Sequence, residues 1–477
     1  MPDGVPDFGR QRGTCHRMAP RMRHYPPGPR DRLCGITFHR PLKTDPLAFA
    51  TKVAKDYGDF TYVRVGWVNL YFVNRPELIR EVLSTKAKSF RKLRRQIRAL
   101  RKIEGDGLAA SEGETWARHG PVVQGSFHAR HLPSYARVIV EYTSRRLEGW
   151  VPGAPFDMAA EMNELALEIV TKLVFDLDLS GEAARLRDAV HVFRTEMQRE
   201  ISAPFVLPDW LPLPSKIRQR RAVRIVDDLI WKQIREHRTA GVVKTGILAQ
   251  MLAAAAAVRS DAPITDAEIR DEAATLFIAG HDTISAALAW FWYLLSQHPE
   301  AERRVLHEVD AVLGDRPAVS DDVPRLRYLE MVVRESMRLY PVAGFLYGRE
   351  AVEDVELGGY TLSRGSWILI APYIVHRDEQ LFPNPEVFDP DRFATGRIDE
   401  IAPYVFIPFG GGPRICTGNR LAMTQVVLLA ATVLQRFRLA LDQAPPEMEL
   451  RILLRPKGAL RMCALARGNR RTLPPAG

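Results

Sequence analysis

Long apolar runs are missing from this 477-residue chain. None of its hydrophobic stretches reaches the roughly 18 residues that a bilayer crossing needs, and the basic N-terminus has no apolar segment behind it. Neither a transmembrane anchor nor a secretory leader is expected. Cysteine is scarce as well: Cys15, Cys34, Cys416 and Cys463 lie too far apart for a disulfide framework, and no C-x-x-C pair suggests structural zinc. A reduced, cytoplasmic setting follows. Between residues 40 and 460 there is no Gly/Ser linker, repeat or low-complexity block, which favours one large domain over the roughly three that length alone suggests.

What is present is an ordinary globular composition, 46% hydrophobic and 26% charged, with a formal net charge of +10. Part of that charge is concentrated in residues 86–102, KAKSFRKLRRQIRALRK, which hold nine Lys or Arg and no acid. Such a run raises nucleic-acid binding. It contains a single aromatic, Phe90, and no known binding module surrounds it, so a solvated helical face is the reading preferred and no nucleic-acid partner is expected.

Helical periodicity dominates. The clearest case runs from Asp266 to His298, where Thr265 and Glu268 form a capping box and Pro299 ends the run. A helix of about 50 Å, apolar nearly all round in its middle, has to cross the centre of the protein. Strands are few: FTYVRV and LYFVN near the start, and VELGGYTLSRGSWILIAP later. Residues 1–24 and 466–477 are expected to be disordered, and HYPPGPR reads as an extended lead-in.

The stretch PFGGGPRICTG, residues 408–418, sets one cysteine among glycines. A phosphate loop would need Lys-Ser/Thr after its last glycine, and Asn419-Arg420 follows instead. A nucleophilic cysteine would need a histidine base, and none is near in sequence, although a distant one is not excluded. A metal ligand remains. Helical periodicity resumes at Asn419, so Cys416 stands just before a helix N-terminus, where backbone N–H groups favour thiolate. Flanking glycines leave room for a flat macrocycle to approach the sulfur.

Phe409, Gly412, Arg414, Cys416 and Gly418 fit F-x-x-G-x-R-x-C-x-G, and this stretch resembles the haem-binding loop of the cytochrome P-450 family. Three more stretches match in the family's order. RESMRLYP holds Glu335 and Arg338, and FDPDRF supplies Arg392; the resemblance gives these three a structural role beneath the haem. AGHDT, residues 279–283, is similar to the family's oxygen-binding stretch. It makes Asp282 and Thr283 the catalytic pair, with Thr283 bonding the Ala279 carbonyl and opening the helix locally. ETWARHGPVVQGSFH resembles the helix whose tryptophan and basic residue hold a haem propionate.

The chain departs from the family pattern twice. Ile284 stands where many members have a second hydroxyl, and Gly120 takes the basic position four residues after Trp116. Arg118 or His119 is the expected substitute. Trp116, Arg349 and Arg414 are the other propionate partners implied, since guanidinium pairs bidentately with carboxylate.

The resemblance implies a mainly α fold with small β regions, a single haem-thiolate catalytic domain over residues 25–465, and haem b ligated by Cys416. Ala279, Val342, Ala343 and Phe345 would line the substrate pocket, with residues 203–220 as its lid. Both regions are apolar, so the substrate expected is a hydrophobic small molecule: a fatty acid, a terpene or a polyketide-like compound. The activity implied is insertion of one atom of O2, with NAD(P)H electrons delivered by a separate ferredoxin or flavodoxin, since only 61 residues follow Cys416. That donor would dock near Arg414, Arg420, Arg436 and Arg438, and the chain is expected to be a monomer. The alternatives are a haem-thiolate isomerase or peroxygenase, or a haem-binding sensor without turnover.

Overall fold

In the computed structural model, residues 24–31, 35–179, 183–203, 208–239, 245–257 and 263–467 are described. Cys15, Cys34, residues 204–207 of the expected lid, and nearly all of the two segments expected to be disordered lie outside them. Among the described residues, twelve helices of eleven residues or more form: α1 Pro46–Tyr57, α2 Arg94–Glu104, α3 Gly113–Gly125, α4 Leu132–Leu147, α5 Met158–Phe175, α6 Ala183–Ser202, α7 Pro214–Thr239, α8 Ile247–Ala257, α9 Asp266–Gln297, α10 Pro299–Leu313, α11 Arg327–Leu339 and α12 Asn419–Arg436.

The central helix of the sequence is α9, one residue shorter than expected. Its capping box is present in both directions: Thr265 Oγ1 accepts from Glu268 N–H, and the Glu268 carboxylate accepts from Thr265 N–H. Two large residues of its C-terminal part, Trp290 and Trp292, are fully buried, as a helix apolar on every face requires. Gly280 has a packing reason: a Cβ there would lie 2.8 Å from Val170 Cγ2 on α5. Its missing side chain lets α5 and α9 approach closely.

Strands β1 Phe60–Val65, β2 Val68–Val73, β3 Phe90–Lys92, β5 Arg349–Ala351 and β8 Trp367–Leu369 build one sheet in the order β1-β2-β8-β5-β3. The first two are the strands read from FTYVRV and LYFVN, paired antiparallel from Phe60 against Val73. β4 Pro155–Asp157, β12 Arg461–Ala466 and β9 Phe437–Leu441 make a second sheet; β6 Val355–Leu357 with β7 Tyr360–Leu362, and β10 Met448–Leu450 with β11 Leu454–Pro456, are hairpins. β6, β7 and β8 fall within VELGGYTLSRGSWILIAP, as read from the sequence, whereas β3, β4, β5, β10 and β11, three residues each, carry too little alternation to be read ahead of time.

Glu335 and Arg338 of α11 are both 0% exposed and form a bidentate pair at 2.7 and 2.8 Å. Arg338 also donates to the carbonyls of His376, Pro385 and Val387, while Glu335 Oε1 accepts from Asp389 N–H at 2.8 Å. Arg392 closes the triangle 3.6 Å from Glu335 and donates to the Pro383 and Asn384 carbonyls. The three residues therefore pin the chain between 376 and 392 to α11. Glu335→Ala strands a buried guanidinium and is expected to cost about 3–5 kcal/mol. Glu330→Ala, which removes a half-exposed pair with Arg334 on the same helix, should cost under about 1 kcal/mol. Denaturant midpoints of the two variants check the contrast.

Candidate active site

Cys416 sits between a single 3-10 turn, Gly412–Arg414, and the N-terminus of α12. Its N–H donates to the Phe409 carbonyl at 3.0 Å, closing the loop so that the sulfur is accessible although protein surrounds it. Burial pushes the thiol up, and the Gly418 backbone N–H opposes that rise. The backbone N–H thus acts in the direction expected of a helix start, and a coordinated metal ion would add the larger stabilisation of the thiolate. Gly412, at φ +67°, cannot be another residue: a Cβ would lie 1.9 Å from the Leu83 carbonyl oxygen. Gly418 caps α12 and leaves a Cβ only ordinary contact with Phe127. Phe409 packs partly buried against the main core.

Beside this loop the β3–β5 pairing places Lys92 directly opposite Arg349. Like charges across a strand pair repel. Arg414 joins them, its guanidinium 3.8 Å over the Trp116 ring and 2.5 Å from Glu112. Lys92 Nζ donates to the Leu108 and Ser111 carbonyls at 3.0 and 3.1 Å, and Arg349 donates to the Tyr347 carbonyl at 2.6 Å. Burial, and then Arg414, pulls Lys92 down to about 7; burial likewise pulls Arg349 down to about 10, against the opposing effect of Glu112. All four charged groups line one cavity. Arg349 and Arg414, with Lys92 able to take up a proton beside an anion, outnumber the single acid Glu112 and complement a group with two carboxylates. Haem, with its two propionates, fits this donor set and the accessible sulfur.

Lys92 is the residue the sequence reading missed, since it lies inside the run taken for a solvated face. That reading needs correction. Lys92 is buried, Arg91 pairs with Glu350 at 2.5 Å, and Lys102 pairs with Glu200 and Asp209. Arg118 and His119, offered in place of the basic residue missing at Gly120, are engaged elsewhere. Arg118 pairs with Glu268, and His119 lies 2.6 Å from Glu272 and 3.3 Å from Glu268 on α9. Burial works against a charge on His119, yet the two glutamates together raise its pKa.

On α9, Thr283 Oγ1 donates to the Ala279 carbonyl at 2.7 Å, as expected, and both residues keep accessible surface. Asp282 is buried, so it is no solvated surface acid; it pairs with Arg194 of α6. Arg455 of β11 stands near the pair, pulled down to about 10 by burial and then by Arg194, with Asp282 opposing. His281 donates from Nε2 to the Asn163 carbonyl at 3.0 Å, leaving Nδ1 3.5 Å from Asp282. Burial holds this imidazole below its usual range. Ile284 lies in the core.

Of the residues assigned to the pocket, Val342 borders the main core and its carbonyl accepts from Leu454 N–H at 2.9 Å. Ala343 is half-buried. Phe345 packs on the sheet core instead, 6.2 Å from Phe72 between ring centroids, so packing accounts for it.

The cytochrome P450 family model matches residues 26–463. The chain belongs to the cytochrome P450 family. It is 33% identical over 395 residues to cyclooctatin synthase of Streptomyces melanosporofaciens, covering 83% of this chain and 85% of that protein. A second protein of that organism, cyclooctat-9-en-7-ol 5-monooxygenase, is 31% identical over 407 residues, covering 83% and 85%. Pentalenene oxygenase of Streptomyces avermitilis is 30% identical over 410 residues, covering 85% and 89%. This P450 is thus a monooxygenase, an oxidoreductase whose family uses haem iron with a thiolate ligand, O2, an organic substrate and a redox partner. Among the described residues no helix is long and apolar enough to cross a membrane.

Proposed function

We propose that this P450 places one oxygen atom on a hydrocarbon-like small molecule, with Cys416 as the iron ligand and Lys92, Arg349 and Arg414 holding the propionates. The observation that carries this reading is the accessible Cys416 sulfur beside buried Lys92 and half-buried Arg349 and Arg414, three basic groups with a single acid, Glu112, in their cavity. Two of the similar proteins are named for an alkene and an alkenol. Among the three substrate classes left open by the sequence, those names favour a terpene-like skeleton over a fatty acid.

Thiolate-bound haem supplies electron density that favours O–O cleavage. One O2, two electrons and two protons are consumed, giving oxygenated substrate and one water. The polypeptide has to deliver those protons. Thr283 spends its hydroxyl proton on Ala279, so its oxygen is free to accept a hydrogen bond and hold a water on the accessible side of α9. Asp282, tied to Arg194, delivers protons when that pair opens. Oxygen consumption coupled to NAD(P)H in the presence of ferredoxin or flavodoxin and their reductases tests the reading; product formed from peroxide without electrons would replace it with a peroxygenase.

The docking face needs revision. Arg414 is turned to Glu112, Arg438 pairs with Glu302, and Arg436 donates to the Ser144 carbonyl at 3.3 Å. Arg420 is exposed, with no ion pair among the described residues, and Arg130 is exposed just beyond Phe127, which borders Gly418. An acidic donor protein docking there is expected to reduce the haem more slowly as salt rises, and Arg420→Glu should slow association about tenfold at low salt. Stopped-flow reduction rates that stay flat with ionic strength, and unchanged in Arg420→Glu, would refute this site.

A further inference from the structure

Much of the basic surface takes no part in the Cys416 site. Five Lys or Arg lie on α2, and residues 214–224 at the start of α7 add five more with no acid among them. Near both helices a cavity of about 340 Å³ opens, sharing no lining residue with the cavity beside Cys416. One face of α7 forms most of its wall, residues 216, 219, 220, 223, 224 and 227 recurring at steps of three and four.

Its charges do not cancel. Lys102 and Lys216 share two acids, Glu200 and Asp209, and balance them. Asp227 shares Arg270 of α9 with Asp271. Arg220 reaches only the Asp209 carbonyl, at 3.5 Å, and Arg224 has no ion pair among the described residues. Two guanidinium groups are thus left without a carboxylate partner among the described residues, and the cluster keeps a net positive charge. Independently, Gln219 is 4% exposed, lines the cavity, and its Nε2 has no hydrogen-bond acceptor. A buried donor without a partner is unfavourable unless something supplies one.

We propose that this cavity binds a soluble small molecule through a phosphate or diphosphate group, Arg220 and Arg224 meeting its two negative charges and Gln219 Nε2 donating to one of its oxygens. Guanidinium groups suit phosphoryl oxygens because they donate two parallel hydrogen bonds. The volume falls in the range of small-molecule pockets and exceeds what a lone phosphate fills. Single-stranded nucleic acid is disfavoured, since none of the eight lining residues is aromatic and bases would find no stacking surface. A bound ligand would tie Lys102 of α2 to the face of α7.

Titration calorimetry of the haem-loaded protein with inorganic pyrophosphate, at fixed ionic strength, tests this. The expected result is saturable one-to-one binding. It should weaken about tenfold or more in R220A/R224A and about fivefold in Gln219→Met, which keeps the side-chain size. K232A/R235A removes the same charge farther along α7 and should bind as the parent does. An unaltered carbon monoxide band in every variant confirms that each is folded, whatever the anion result. Absence of saturable binding, or equal weakening in both double variants, would overturn the proposal. So would association with anionic phospholipid vesicles and not with pyrophosphate, which would transfer these cations to a lipid surface.

Discussion

Cys416→Ser is expected to abolish the red-shifted absorption band that reduced, carbon monoxide-treated P450 shows, while Cys463→Ser leaves the band intact. A thiolate is a soft, strongly donating ligand, and a serine hydroxyl neither ionises comparably nor donates as strongly. Cys463 has no route to that role: it lies in β12, opposite Ala440 on one side and Pro155 on the other. Cys15→Ser and Cys34→Ser should also leave the band unchanged. The loop itself should survive in Cys416→Ser, because its closing bond is the backbone N–H to the Phe409 carbonyl, which serine retains. Loss of the band with an unchanged far-ultraviolet spectrum therefore isolates the ligand. A band that persisted in Cys416→Ser would remove Cys416 from the iron.

Thr283→Ala is expected to keep haem and substrate binding while diverting electrons into hydrogen peroxide. The Thr283 hydroxyl bonds to Ala279, one turn back on the same helix, so its removal takes away a positioned oxygen without disturbing another element. Alanine has the higher helix propensity, and α9 should not suffer. A positioned proton donor is worth about 10²–10⁴-fold in a transfer step, enough to decide between productive oxygen insertion and peroxide release. Asp282→Asn behaves differently. It keeps the shape but loses the charge that pairs with Arg194, so oxygen consumption itself should slow by about the same factor. Arg194, whose side chain is 14% exposed, is left with a neutral partner, which should also lower stability by about 1–3 kcal/mol. Product and peroxide per NAD(P)H, measured on both variants, separate the two roles. Coupling in Thr283→Ala equal to the parent's would reduce Thr283 to packing and strengthen the peroxygenase and isomerase alternatives.

The sequence by itself was enough for features that depend on a few neighbouring residues. The capping box at Thr265, the length of α9, strands β1 and β2, the Glu335–Arg338 pair and the Thr283–Ala279 bond all involve positions at most a few steps apart, or one helical or strand period. Local spacing and hydrogen-bonding capacity are written in such stretches directly. The cysteine loop was legible for the same reason, since its cysteine, its arginine and its glycines fall within eleven residues.

Tertiary structure alone decided which distant charges meet. Lys92 looked like one more cation in a basic run until the register of β3 against β5 set it opposite Arg349 and beside Arg414. Arg118 and His119 are no nearer to or farther from Glu268 and Glu272 in any local pattern, yet the packing of α3 on α9 commits them there. AGHDT names Asp282 as a catalytic acid but not its partner, and only the approach of α6 sets it against Arg194. Ion pairs of this kind depend on strand register and helix packing, which are set by burial across the whole core. Charge in a sequence therefore shows that partners are needed, while the folded packing determines which partners they are.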